Sequence, residues 1–133
     1  MTTDLDWIAM TVWGEARGEA FQGKLAVAYV ICNRMTKAQT SACAVVLKPW
    51  QFSFWNTDDP SRHRMQPSFT NADWRDSYKA AAAAYFATLP DPTKGSTSYL
   101  NPKVCTADQK KRAGYTRERV VTSIGNHDFF IAI

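Results

Sequence analysis

The sequence predicts a single α+β domain that is mainly helical, and three observations lead there. Its 133 residues suffice for one hydrophobic core and are too few for two, so residues 1–133 are taken as one domain. Stretches in the first two thirds repeat apolar residues at helical spacing. The last third offers instead "STSYLNP" and "IGNHDFFIAI", short and rich in aromatic or β-branched residues, which suit strands or extended chain.

A first helix over residues 4 to 17, with Asp4 or Thr3 available as N-cap, turns Leu5, Ile8, Ala9 and Val12 inward and stops near Gly18. A second, from about Gln22 to Met35, carries Leu25, Ala28, Cys32 and Met35 as one stripe. Val27, Val30 and Ile31 cover much of its remaining surface, which places it in the middle of the core. "TSACAVVLKPW" suggests a short helix capped by Thr40 or Ser41 and ended before Pro49, because proline pushes the preceding residue out of the helical region. From Trp50 to Phe69 the pattern breaks into a long irregular segment containing Pro60 and Pro67. Its aromatics Trp50, Phe52, Phe54 and Trp55 argue against disorder, and serve either as a sugar-stacking wall or as anchors pinning the loop to the core. Thr70 is expected to cap a long helix, with Asp73 three residues on and Trp74, Tyr78, Ala81, Tyr85 and Leu89 along one face. Its alanines 80 to 84 permit close helix packing; "LPDPTKG" then breaks it, and the two strand-like segments flank an irregular basic stretch.

No window approaches the roughly 18 consecutive apolar residues of a membrane span. The acidic start "MTTDLDWIAM" lacks the basic and apolar regions of an export signal, so synthesis in the cytoplasm is expected. Cys32, Cys43 and Cys105 are odd in number and without metal-like spacing, and are read as free thiols. Neither histidine lies in a ligand-spaced cluster, so no metal or cofactor is expected. The net charge of +4 favours a polyanionic partner: nucleic acid, anionic lipid or a bacterial envelope rich in phosphate and carboxylate.

One charge breaks the pattern. At about 100° per residue, Ile8, Val12 and Glu15 fall on one helix face, so the face that enters the core ends in a carboxylate. Apolar surroundings favour the protonated form, and such a glutamate can donate a proton to a leaving group and later take one back. The blander alternative is a solvated carboxylate or one paired with Arg17, Arg34 or Lys24. Glu19, four residues on, is a further candidate for the same site, or a cap or ion-pair partner.

"GEARGEAFQGKLAVAYVICNR" resembles the opening signature of the SleB-like cell-wall hydrolases, and further pieces follow in that family's order: "QFSFW" at 51–55, "SYLNP" at 98–102 and "IGNHDFF" at 124–130. The resemblance implies a lysozyme-like, mainly helical domain with a small β element. It would act on the glycan strand of peptidoglycan as a lytic transglycosylase or muramidase. Glu15 would be the catalytic acid/base, with Gln51, Phe52 and Ser53 lining the cleft, Tyr99 and Asn101 opposite, and His127 and Phe129 supporting that wall. Trp55 joins them if the aromatic run stacks on sugar. The sequence departs from the family pattern at Asp128, where an apolar residue is expected. A lytic transglycosylase needs one acid, because the muramoyl 6-hydroxyl supplies the nucleophile; a hydrolytic muramidase needs a second carboxylate, for which Glu19, Asp58, Asp59 and Asp73 are available. The expected partner is bacterial peptidoglycan, met by a monomer either after release from the cytoplasm, as in phage-type lysis, or after export by a signal that this sequence lacks because it has been removed. The basic run "KKRAGYTRER" offers a nucleic-acid-binding alternative without any recognised binding signature. A peptidase built on Cys105 and His127 lacks a nucleophile motif, and a non-catalytic wall-binding module is the remaining rival.

Overall fold

The computed structural model of the chain describes residues 2–48, 51–56 and 70–132. The first helix, α1 (Asp4–Ala16), starts at a capping box: Thr3 Oγ1 accepts from the Asp6 amide at 3.2 Å, and Asp6 Oδ2 accepts from the Thr3 amide at 2.9 Å. Asp4 and Asp6 also put negative charge where the helix dipole favours it. Ile8, Ala9 and Val12 are fully buried, as the spacing predicts. The helix ends where Arg17 turns extended and Gly18 takes φ +85°, a conformation glycine enters without steric cost.

α2 (Phe21–Ala38) runs past the expected end at Met35 and is closed by Gln39 in the left-handed region. Every residue from Lys24 to Ile31 is buried, which is what a helix apolar on most faces requires. α3 (Ala42–Val46) is capped by Ser41, whose Oγ accepts from the Ala44 amide at 3.2 Å, and its Ala42 amide donates to Asp4 Oδ1 at 3.0 Å, tying it to the start of α1.

α4 (Ala72–Tyr85) corrects two expectations. Asn71 rather than Thr70 is the cap, its side-chain oxygen accepting from the Trp74 amide at 3.3 Å. The helix also stops at Tyr85, so Leu89 leaves the anticipated face and is exposed. Ala87 in the left-handed region turns the chain there, and the Tyr29 hydroxyl donates to the Leu89 carbonyl, holding the segment beyond the helix. Buried Ala80, Ala81, Ala83 and Ala84 give α4 a flush surface that lies against both α1 and α2.

After α4, Asp91 organises the turn "DPTKG": Oδ1 accepts from the Thr93 amide and hydroxyl at 2.7 Å each, and Oδ2 from the Gly95 amide at 2.9 Å. The strands β1 (Ser98–Leu100), β2 (Val120–Ile124) and β3 (His127–Phe130) form an antiparallel sheet in the order β1-β3-β2, with Tyr99 opposite Phe129. The basic stretch expected to be irregular contains α5 (Ala107–Ala113), framed by a Thr106–Gln109 capping box and by Gly114 at φ +73°. No residue of α5 is buried, so it lacks the apolar stripe that marks the other helices. The three cysteines are free thiols. No described helix is long and apolar enough to cross a membrane.

Candidate active site

α1 brings Glu15 to the surface one turn after the fully buried Val12, so the buried face does end in a half-buried carboxylate. Ser53 meets it from the single-turn helix Ser53–Trp55, with Ser53 Oγ 3.5 Å from Glu15 Oε2, at the outer limit of a hydrogen bond. Gly14 permits this meeting, because the Phe54 ring lies directly against the α1 backbone at that position. Trp13, stacked on Trp74 at 5.1 Å and 10°, meets the same ring edge-on at 5.9 Å.

The other aromatics of this segment are anchors. Trp55 Nε1 donates to Thr11 Oγ1 at 2.8 Å, and the Trp55 ring packs 5.2 Å from Trp7. Phe52, expected to line the cleft, is only 1% exposed; its ring lies in the core with the Arg34 guanidinium 4.9 Å from its centroid, and leaves Ser53 to face Glu15. Gln51 is exposed and lines a cavity whose wall does not include Glu15. Trp50, Asp58 and Asp59 lie outside the described residues.

Tyr99 comes from β1. Burial first, and then the charge of Glu15, push its phenol well above the ordinary tyrosine range, while Arg34 pulls the other way. The hydroxyl therefore stays protonated and available as a donor near the Glu15 charge. His127 lies edge-on to Tyr99 at 5.3 Å, and the buried Phe129 packs against the same ring at 5.5 Å. Asn101 is used differently, since its Oδ1 accepts from the Lys103 amide at 3.0 Å and its carbonyl from the Val104 and Cys105 amides, so it shapes the turn after β1.

Glu19 sits between α2 and the β2–β3 turn, its Oε2 3.7 Å and 3.6 Å from where a Cβ would stand on Gly23 and Gly125. Lys24, a candidate for neutralising Glu15, is buried and donates instead to the Glu19 carbonyl at 2.6 Å, with Asp73 at 3.8 Å. Asp73 is thereby an ion-pair partner of α2. Arg34 Nε donates to the Thr97 carbonyl at 2.5 Å, and Arg17 lies over the Trp13 ring at 4.4 Å. Among the described residues no group of three or more His, Cys, Asp or Glu could hold a metal ion.

Two supporting roles, those of Asn33 and Asp128, were not legible in the sequence. Asn33 Nδ2 donates to Asp91 Oδ2 at 3.0 Å and to the Ser96 carbonyl at 2.9 Å, and with Arg34 it fixes the approach to β1 and hence Tyr99. The signal was present as the "NR" pair directly after the apolar run Leu25–Cys32. Asp128, where an apolar residue was expected, is buried but fully engaged, accepting from Ser123 Oγ at 2.6 Å and Tyr115 Oη at 2.8 Å, with Arg117 at 3.6 Å. β3 pairs with both neighbours at this position, Asp128 standing opposite Leu100 and Ser123, and the β2–β3 register shifts only further on, between Val120 and Thr122. Arg117 thus comes from the basic run, as does Arg119, which donates to the Gly114 carbonyl at 2.9 Å.

Comparison with known proteins follows the same lines. Residues 18–130 match the model of a family described as Cell Wall Hydrolase, beginning three residues after Glu15. Spore cortex-lytic enzymes of Halalkalibacterium halodurans and Bacillus subtilis are 29% and 30% identical over 78% of this chain in each case. The chain spans 29% and 31% of the length of these two relatives. The catalytic domain of the germination-specific lytic transglycosylase SleB from Bacillus anthracis superposes with a TM-score of 0.69 at 29% identity, covering 96% of this chain and 93% of that one.

Proposed function

The chain belongs to the cell wall hydrolase family, and from that premise we propose that it cuts the glycan strand of peptidoglycan with Glu15 as general acid and then general base. The bond is the β-1,4 linkage between N-acetylmuramic acid and N-acetylglucosamine, and the reaction is a lytic transglycosylation. The observation that carries this reading is a half-buried carboxylate at the end of a core-facing helix, with Ser53 Oγ at 3.5 Å and a Tyr99 phenol whose ionisation that carboxylate disfavours. The similarity to the catalytic domain of SleB, a germination-specific lytic transglycosylase, supports the choice of reaction.

Glu15, protonated, gives its proton to the glycosidic oxygen as the bond from that oxygen to muramoyl C1 breaks. Positive charge develops at C1 and its ring oxygen. The Glu15 carboxylate then removes the proton of the muramoyl 6-hydroxyl as that oxygen bonds to C1, giving a 1,6-anhydro product. The acid is regenerated and no water is consumed. Ser53 orients the carboxylate, and the protonated Tyr99 offers a hydroxyl to substrate or to Glu15. Glu19, beside Gly125 of the β2–β3 turn, and His127, the first residue of β3, extend the proposed binding surface.

The test is digestion of purified peptidoglycan by the wild type and by Glu15→Gln, with mass spectrometry of the soluble fragments. The amide has no acidic proton to give, so cleavage should fall at least about a hundredfold with an unchanged circular dichroism spectrum. Anhydro-muramoyl ends support transglycosylation. Reducing ends carrying the elements of water would assign a hydrolytic muramidase instead, and wild-type rates in the variant would remove Glu15 from the mechanism.

A further inference from the structure

A cavity of about 420 Å³ opens beside the C-terminal half of α2, α3 and β1. Its wall carries three cations, Arg34, Lys37 and Lys48, with Gln51, Thr97 and Ser98, and among the described residues no carboxylate. Arg34 is held in place by its bond to the Thr97 carbonyl and by the Phe52 ring, and its burial disfavours the charge it carries. Its Nη1 is nevertheless buried without a hydrogen-bond partner among the described residues. An oxyanion in the cavity offsets the desolvation of the Arg34 charge and receives charge-assisted donation from the Lys37 and Lys48 ammonium groups. Lys37 gives one proton to the Ala132 carbonyl at 3.1 Å and has others to offer. The Met35 and Thr36 carbonyls, at the negative end of α2, accept from the Gln39 and Thr40 amides, which reduces their repulsion of an anion.

The cavity adjoins the chemistry through two segments. Gln51 stands two residues before Ser53, and Ser98 immediately precedes Tyr99, so the segments that bring Ser53 and Tyr99 to Glu15 also line this wall. Sugar hydroxyls are neutral, whereas the peptides attached to muramic acid carry carboxylates on a flexible chain. Resting on the glycan-strand reading above, we propose that this cavity is a subsite for the carboxylates of the peptide stem.

The test compares Lys37→Gln/Lys48→Gln with the wild type on two substrates, both freed of covalently attached phosphate polymers: peptidoglycan with its peptides, and the same glycan stripped by an amidase. The double variant should show a KM about tenfold higher on the peptide-bearing substrate, as expected for lost charge-assisted contacts, and kinetics within about twofold of wild type on stripped strands. The stem peptide released by the amidase, titrated into wild type, should shift the amide resonances of Thr97, Ser98 and Lys48, and this response should vanish in the variant. Equal changes on both substrates, or no response to the released peptide, would overturn the subsite. So would a KM difference that appears only on walls retaining their phosphate polymers, which would assign the cavity to phosphate. If the wild type cleaves neither substrate, the glycan reading fails, and the peptide titration still decides the cavity.

Discussion

The Phe54 ring occupies the place a side chain on Gly14 would need: a Cβ built there falls 2.1 Å from Phe54 Cγ. In an ordinary helix alanine is favoured over glycine by about 1 kcal/mol, but here the added methyl must displace a ring that is 1% exposed. Gly14→Ala is therefore expected to lower stability by about 1–3 kcal/mol, as overpacking does, and to move Ser53 away from Glu15. Denaturant unfolding and glycan cleavage measured together test this. An alanine variant as stable and as active as wild type would mean that the ring yields freely.

Ser53 is exposed, so its hydroxyl contributes to the Glu15 carboxylate without supporting the core. If Glu15 is the proposed acid, Ser53→Ala should reduce kcat roughly three- to tenfold, the scale of one modest hydrogen bond to that group, with KM and the unfolding midpoint nearly unchanged. A rise in KM at constant kcat would make Ser53 a substrate contact instead.

The sequence exposed those parts of the molecule that rest on periodicity. Ile8, Val12 and Glu15 share a face because two turns bring them there, and the structure buries the first two and half-buries the third. The mainly helical fold with its small sheet was visible for the same reason, and it matches the SleB catalytic-domain fold. Thr70 and Asn71 are both capable N-caps and stand side by side, and the acceptance by Asn71 Oδ1 from the Trp74 amide decides between them. Whether Phe52 faces a cleft or a core depends on Arg34, eighteen positions earlier, and Asp128 is tolerable only because Tyr115 and Ser123 converge on it. α5 announced itself by the pair Thr106 and Gln109, but without an apolar face no period drew attention to it.

Trp55 separates anchoring from sugar binding. Its indole N–H reaches the fully buried Thr11 hydroxyl, which in turn donates to the Trp7 carbonyl at 2.8 Å. Trp55→Phe keeps an aromatic ring but removes the donor, and should cost about 1–2 kcal/mol of stability while KM for the glycan stays within about twofold. A KM rise in a variant of unaltered stability would give the ring a sugar-stacking role.

Among the described residues, three carboxylates have lowered folded pKa values and bear on the acid stability of the fold. At Asp6 the Thr3 amide is the chief cause. At Asp91 burial works against ionisation, but donation from Asn33, Thr93 and Gly95 outweighs it. At Asp128 burial is likewise outweighed, by Ser123 and Tyr115 and by the Arg117 charge. A carboxylate with a depressed folded pKa binds protons more readily in the unfolded chain, so its stabilisation is present above the unfolded value near about 4 and is lost as pH falls through the folded value. The unfolding midpoint in urea should thus be steady from neutrality down to about pH 5 and decline below about pH 4. Asp91→Asn should be less stable at neutral pH by about 1–3 kcal/mol, because an amide offers one acceptor oxygen where the carboxylate uses two. Its acid decline should be shallower, since one of the three groups no longer titrates. An Asp91→Asn variant whose loss of stability below pH 4 runs parallel to wild type would show that this turn does not contribute to the acid response.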